Sequence, residues 1–275
     1  MRFDFTTDQT SVSIGQGTDF RFLPPIDGLE VPQIRTSRQN YSGRDGGRVN
    51  AQYYSPRLIT FQGHINEDTC QDHEQARIDF QEGFPIRTLI NLVITTPAGN
   101  TYVTDGYVLD IKMNFGANRY SQFKIDFLCR SAYFLSSTQN SLDIQRFTGG
   151  GFILPVILPI IFAPGTGAVN AVNNGTETVY PVIEIYGTAT NPVVTHVGSG
   201  QVVAFNLIMA GSDKVVVDMN ERTATLNGSS VLSLRTSQSR WWGLDTGANM
   251  IRFDTDTSGD TGYARIVWRD SVLTI

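Results

Sequence analysis

The sequence is poor in positive charge and in cysteine. Lysine occurs only at Lys112, Lys124 and Lys214, and 21 basic residues face 26 acidic ones, for a formal net charge of −5. A protein that grips phosphates needs clustered Lys and Arg, and no basic run exists here. Specific nucleic-acid binding is therefore not expected. A mildly acidic surface instead lets DNA pass without adhering, because like charges repel. Cys70 and Cys129 are the only cysteines. They form neither a metal spacing nor a disulfide framework, and free thiols in a protein made in a reducing cytoplasm are expected. Long apolar runs are also missing. The longest, Phe152–Phe162, is interrupted by Pro155 and Pro159 and falls short of the ~20 residues of a spanning helix. Met1-Arg2-Phe3-Asp4-Phe5 is followed by no apolar stretch, so no secretory signal is expected. The Gly149–Gly151 run lacks the Lys-Ser or Lys-Thr of a phosphate loop, and no GxSxG elbow or HExxH motif is present. No cofactor and no enzymatic activity are expected.

What is present is β patterning. Runs of Val, Ile, Tyr, Phe and Thr alternate with polar residues and stop at Gly, Asn, Asp and Pro, the signature of half-buried strands. In the first half these runs cover 57–65, 88–95, 101–115 and 122–129. Turn chemistry marks 97–100 and 116–118. One helix breaks the pattern near 69–81, with Asp68 or Thr69 as cap and Gly83 as stop. From residue 180 the strands resume over 180–187, 193–197, 202–208, 214–218, 223–226, 250–254 and 264–268. Asn227-Gly228 is a strong hairpin signal. Spacing of this kind suggests a β-sandwich. The three glycines at 149–151 suit a hinge. The expected organisation is a first domain at 1–140, a linker at 141–165 and a second domain at 166–275. Domains of this size bury a normal core.

Several residue groups admit a functional reading beside a structural one. Trp241 and Trp242 could form a sugar-stacking platform, or pack the edge of the sandwich; packing is the expected role. Asp254, Asp256 and Asp260 faintly resemble a calcium loop, but Arg265 stands where a bidentate Glu is needed, so an acidic hairpin tip is expected. His64, His73 and Cys70 lack zinc spacing, and His196 stands alone. Glu67, Asp68, Asp72 and Glu74 surround the helix start, where the dipole favours carboxylates. A glycosidase would instead need two convergent carboxyls in a cleft.

Taken in order, several segments resemble the distal tail protein (Dit) family of siphoviruses. In the first half these are Ile26-Asp27-Gly28-Leu29-Glu30-Val31-Pro32, then Gly43-Arg44-Asp45-Gly46-Gly47-Arg48, then Tyr54-Ser55-Pro56-Arg57 running into Ile59-Thr60-Phe61-Gln62-Gly63. In the second half Tyr180–Gly187 is followed by Thr190-Asn191-Pro192, Val216-Val217-Asp218, Leu226-Asn227-Gly228, Trp242-Gly243-Leu244, Ile251-Arg252-Phe253 and Ala264–Arg269. The resemblance covers about 26–134 and 180–269, and the order of the segments carries it.

The resemblance implies a mainly β fold: an N-terminal sandwich or barrel-like domain with one helix, and a C-terminal galectin-like β-sandwich. It implies a structural virion protein at the tail tip, made in the host bacterial cytoplasm. There it would form a homo-hexameric ring between the tail tube and the tip or baseplate of a long non-contractile tail. Implied partners are the tail tube protein, the tape measure protein and a tail-tip hub protein, with a receptor-binding protein or host polysaccharide beyond them. DNA would pass through the lumen. Within this frame Arg44, Asp45 and Arg48 form an arm reaching a neighbouring subunit. The alternative is a carbohydrate-binding module or adhesin acting in host-wall recognition, with Trp241 and Trp242 as its contacts.

Overall fold

A computed structural model describes residues 1–115, 119–146 and 167–275. The chain divides into two compact units: Met1–Ser137 with Val272–Ile275, and Thr138–Ser271.

The first unit contains β1 (Arg2–Thr6), β2 (Ser11–Gly15), β3 (Phe20–Phe22), β4 (Ile34–Asn40), β5 (Gly47–Tyr54), β6 (Leu58–Asn66), α1 (Cys70–Glu82), β7 (Ile90–Thr95), β8 (Thr101–Phe115), β9 (Tyr120–Cys129) and β10 (Phe134–Ser136). The strand order β8-β7-β1-β2-β3-β6-β9 closes back on β8, giving a barrel of seven strands. Closure depends on the length of β8. Residues 101–106 pair with β7, and residues 106–115 pair with β9. The change of partner falls at Gly106, where a Cβ would collide with the carbonyl oxygen of Leu128. A bulge follows between Val108 and Asp110. A glycine beside a bulge is what lets a strand turn a barrel corner.

Inside the barrel, alternate residues of each strand are buried: Phe3 and Phe5, Ile59 and Phe61, Leu92 and Ile94, Phe123, Ile125 and Phe127. Phe61 meets Phe3 and Phe5 edge-on at centroid distances of 4.9 and 5.3 Å. Such pairs add roughly 0.5–1.5 kcal/mol beyond their buried area.

The expected helix is present as α1. Thr69 is its cap, accepting the Asp72 amide at 3.1 Å. Its Phe80 ring packs on Phe20, Phe84 and Phe123. Gly83 ends the helix for a reason the sequence did not suggest. Its φ is −68°, so it is not a left-handed cap. A Cβ there would overlap Val12 Cγ2. Gly83→Ala should therefore destabilise the first unit by about 1–3 kcal/mol through overpacking, although alanine is the better helix former. Urea denaturation checks this, and a stabilised variant would show that Val12 gives way.

The second unit contains β11 (Asn140–Gln145), β12 (Ala168–Asn173), β13 (Val182–Tyr186), β14 (Ala189–Thr190), β15 (Val193–His196), β16 (Gln201–Ala204), β17 (Ile208–Met209), β18 (Lys214–Asp218), β19 (Thr223–Leu226), β20 (Ser229–Ser230), β21 (Gly247–Asp254) and β22 (Tyr263–Trp268). β23 (Ser271–Val272) leads the chain back to the first unit. One sheet has the order β11-β22-β13-β18-β19-β20 and the other β12-β21-β15-β16. Ile183, Ile185, Val215, Val217 and Ile266 of the first sheet share one core with Val194, Val203, Ile251 and Phe253 of the second. Two sheets facing across one apolar layer make a sandwich. Asn227 and Gly228 have φ of 51° and 85°, as a type I′ hairpin turn demands.

The mainly β expectation is met in both units, but the division falls earlier than the linker expected over 141–165. Asn140–Gln145 is a strand of the second unit, paired with β22 along its length. Ile144 is fully buried, and Asp143 holds Arg265 through both carboxylate oxygens, at 2.6 and 2.9 Å. Its polar alternate residues made this strand read as a linker. Val272–Ile275 belongs to the first unit rather than to a second domain at 166–275. The turn at 116–118, the glycines at 149–151 and the apolar run 152–162 lie outside the described residues. Among the described residues no helix is long and apolar enough to cross a membrane.

Candidate assembly interface

Among the described residues, β4 and β5 pair with each other and with no other strand. Neither contains a buried residue. Ile34 is 50% exposed, Val49 59% and Tyr53 64%. A lone two-stranded hairpin is marginally stable in water. Its free edges and uncovered apolar side chains mark it as an element that seeks a partner. It is also basic: Arg35, Arg38, Arg44 and Arg48 stand against Asp45 in a chain that is acidic overall.

At the tip the Tyr41 amide donates to the Gly46 carbonyl at 3.1 Å. Gly43 and Gly46 take φ of 74° and 96°, which glycine adopts without steric cost. The Arg44 guanidinium lies over the Tyr41 ring, 4.1 Å from its centroid. Arg44 and Asp45 thus sit at the tip, and Arg48 sits in β5 opposite Gln39. The segment read from sequence as a loop at 43–48 is the outer end of a much longer arm.

Arg57 fixes the root of the arm. It is 2% exposed, and its five hydrogen bonds end on main-chain carbonyls. Nη1 donates to Gly28 and Glu30. Nε and Nη2 donate to Ala132 at 3.1 and 2.8 Å, and Nη2 also donates to Leu273 at 2.6 Å. The guanidinium lies 4.2 Å from the centroid of the Phe134 ring. Burial pulls its pKa below the ordinary value, and the nearby Cys129 and Glu30 oppose that shift. Gly28, at φ 95°, must approach so closely that a Cβ would collide with the Leu58 carbonyl. One side chain thereby ties the chain before the arm, the loop after β9 and the C-terminal segment.

The first unit also carries an acidic cleft of about 460 Å3, lined by Asp19, Glu67, Asp72 and Asp79 among others and by no basic residue. One Glu67 carboxylate oxygen is buried without a hydrogen-bond partner. Burial pushes the Glu67 pKa up, and Asp19, Asp72 and Asp68 push it further. Glu67 and Asp72 were legible as carboxylates near a helix start. The contribution of Asp19 was not, because it arrives from β3's approach, distant in sequence.

The remaining candidates fall elsewhere. Trp242 is 2% exposed and belongs to the sandwich core, tilted against His196 at 5.5 Å. Trp241 is half-buried, with Arg235 over its ring, so the pair does not present two open faces. Trp242→Ala should cost about 3–5 kcal/mol and Trp241→Ala about 1 kcal/mol or less. Denaturation midpoints check this, and equal losses would contradict the placement. Asp260 accepts the Thr190 amide at 2.7 Å, Asp256 accepts the Asn191 side-chain amide at 2.8 Å, and Asp254 pairs with Arg252. Asp256 and Asp260 thus hold a turn at 190–191. His64 stacks on Tyr120. His73 is buried on α1, its pKa lowered by burial and by Arg77. Cys70 is exposed. Among the described residues no cluster of His, Cys, Asp and Glu is arranged to hold a metal.

The first unit is thus a closed barrel with an arm that pairs with no other described strand, and the second unit is a sandwich. Residues 174–270, within the second unit, match the family described as siphovirus-type tail component, C-terminal domain. The whole chain has the fold of the Dit protein (gp 19.1) of phage SPP1, described as a paradigm of the hub adsorption apparatus in phages infecting Gram-positive hosts. The TM-score is 0.69 at 14% identity, over 98% of each chain. Structures of the phage P2 baseplate in its activated conformation are also similar. With Ca the TM-score is 0.53 at 10% identity over 100% of both chains. With Sr it is 0.51 at 13% identity, over 97% of this chain and 98% of the other. No curated protein matches the sequence. The resemblance read from the residues to the distal tail protein family is thus met in fold over the whole chain and in sequence over 174–270.

Proposed function

We propose that this chain is a structural component of the virion, the distal tail protein that joins tail tube to tail tip in a long non-contractile tail. The observation that carries the reading is the pairing of a tail-component domain at 174–270 with the SPP1 Dit fold over 98% of the chain. In this reading the first units assemble head to tail into a homo-hexameric ring around a lumen. A heterologous contact closes into a ring when its rotation returns to the start, and the arm β4–β5 supplies a surface for it. The tube protein sits on one side and the hub protein on the other, with the tape measure protein and DNA passing through. The sandwich engages a receptor-binding protein or a host polysaccharide. The protein acts by position rather than by catalysis, and it is made in the host cytoplasm. Mass photometry of the purified chain, alone and with tail tube protein, should show a six-membered species. A monomer under every condition would reject the reading.

A further inference from the structure

We infer that the arm β4–β5 of one subunit seats in the acidic cleft of the next, so that a second copy of this chain is the arm's partner. The inference rests on the ring reading and names the two surfaces that build it. Charge complementarity supports it first. The arm carries Arg35, Arg38, Arg44 and Arg48 against Asp45 alone. The cleft presents Asp19, Glu67, Asp72 and Asp79 with no base among its lining residues. Carboxylates and guanidiniums pair through two parallel hydrogen bonds, which fixes orientation as well as adding energy.

Topology supports it second. The arm leaves the barrel immediately before β6, and the cleft's Glu67 follows β6 immediately. The nine residues of β6 span about 27 Å at ~3.4 Å per residue. Arm and cleft therefore lie at opposite ends of one strand. Arm and cleft are two different patches, so a contact passed from each subunit to the next is heterologous.

The unmet needs of the two surfaces agree as well. The arm exposes Val49 and Tyr53 and two open strand edges. The cleft holds a buried Glu67 oxygen that lacks a donor. An arginine entering the cleft supplies that donor and relieves the repulsion among the carboxylates.

The test is a charge swap read by mass photometry and sedimentation, in the full-length chain. The positions are exposed, so the folds should survive, and unchanged melting temperatures confirm it. Arg38→Glu with Arg48→Glu should weaken self-association about tenfold or more. Asp19→Arg with Asp79→Arg should do the same. All four changes in one chain should restore assembly. Mixing the two double variants should also restore assembly, as an alternating ring, because both mixed junctions pair opposite charges while each variant alone repels itself. If both double variants assemble as the wild type does, the inference is overturned while the ring reading stands on another interface. If the wild-type chain stays monomeric even with tail tube protein, the ring reading fails and takes the inference with it.

Discussion

Replacing Arg57 by alanine should unfold the first unit while leaving the second unit folded. The substitution leaves the carbonyls of Gly28, Glu30, Ala132 and Leu273 without the donor that now satisfies them. A buried polar group left without a partner costs about 1–3 kcal/mol. Four such groups, with partial relaxation and water entry, make a loss of about 5 kcal/mol or more. A domain has only about 5–15 kcal/mol in total. Arg57→Lys should recover little, because an ammonium is a single point of donation while these carbonyls surround a planar fork. Calorimetry is the suitable measurement. The wild type should show the first unit melting cooperatively, and the Arg57→Ala chain should retain only the transition of the sandwich. A variant that melted like wild type would show that water replaces the guanidinium at no cost.

The second large effect concerns assembly rather than folding. Ile34 and Tyr54 are direct partners across the arm, so their Cα atoms lie about 5 Å apart. Residues 35–53 can therefore be replaced by Asn-Gly, which closes a two-residue hairpin without strain. The barrel should not notice, because the arm shares no strand pairing with it, and the Tyr54–Tyr133 ring contact at its base is kept. The expected result is an unchanged melting temperature and loss of self-association by at least about 100-fold, or roughly 2.7 kcal/mol. Full assembly of the shortened chain would remove the arm from any role in the interface.

The legible parts of the fold were those decided locally. Asp68 or Thr69 could be named as the cap because a side-chain oxygen before a helix satisfies an orphan amide within three residues. Residues 101–115 read as one strand because Tyr, Val, Ile and Phe recur along the whole stretch. Asn227-Gly228 read as a turn because few other dipeptides accept two positive φ angles. The arm was not legible, since Ile34–Asn40 is almost wholly polar and has no apolar face to reveal a period. Sequence patterning reports what a chain buries within itself, and β4 and β5 bury nothing. Arg57 was visible as part of a family signature, but its burial was not, since four carbonyls from three distant stretches create its site. Gly83 was placed correctly at the end of the helix although its reason, contact with Val12 of β2, is distant in sequence.

The return of Val272–Ile275 to the barrel makes the sandwich an insertion between two segments of one host domain. Force applied to that sandwich is shared by two covalent tethers, at 137–138 and at 271–272. A single proteolytic cut at either tether would leave the module attached. A different module could be exchanged at the same place only as a cassette with both ends supplied, its C-terminal end restoring Leu273 to the hold of Arg57.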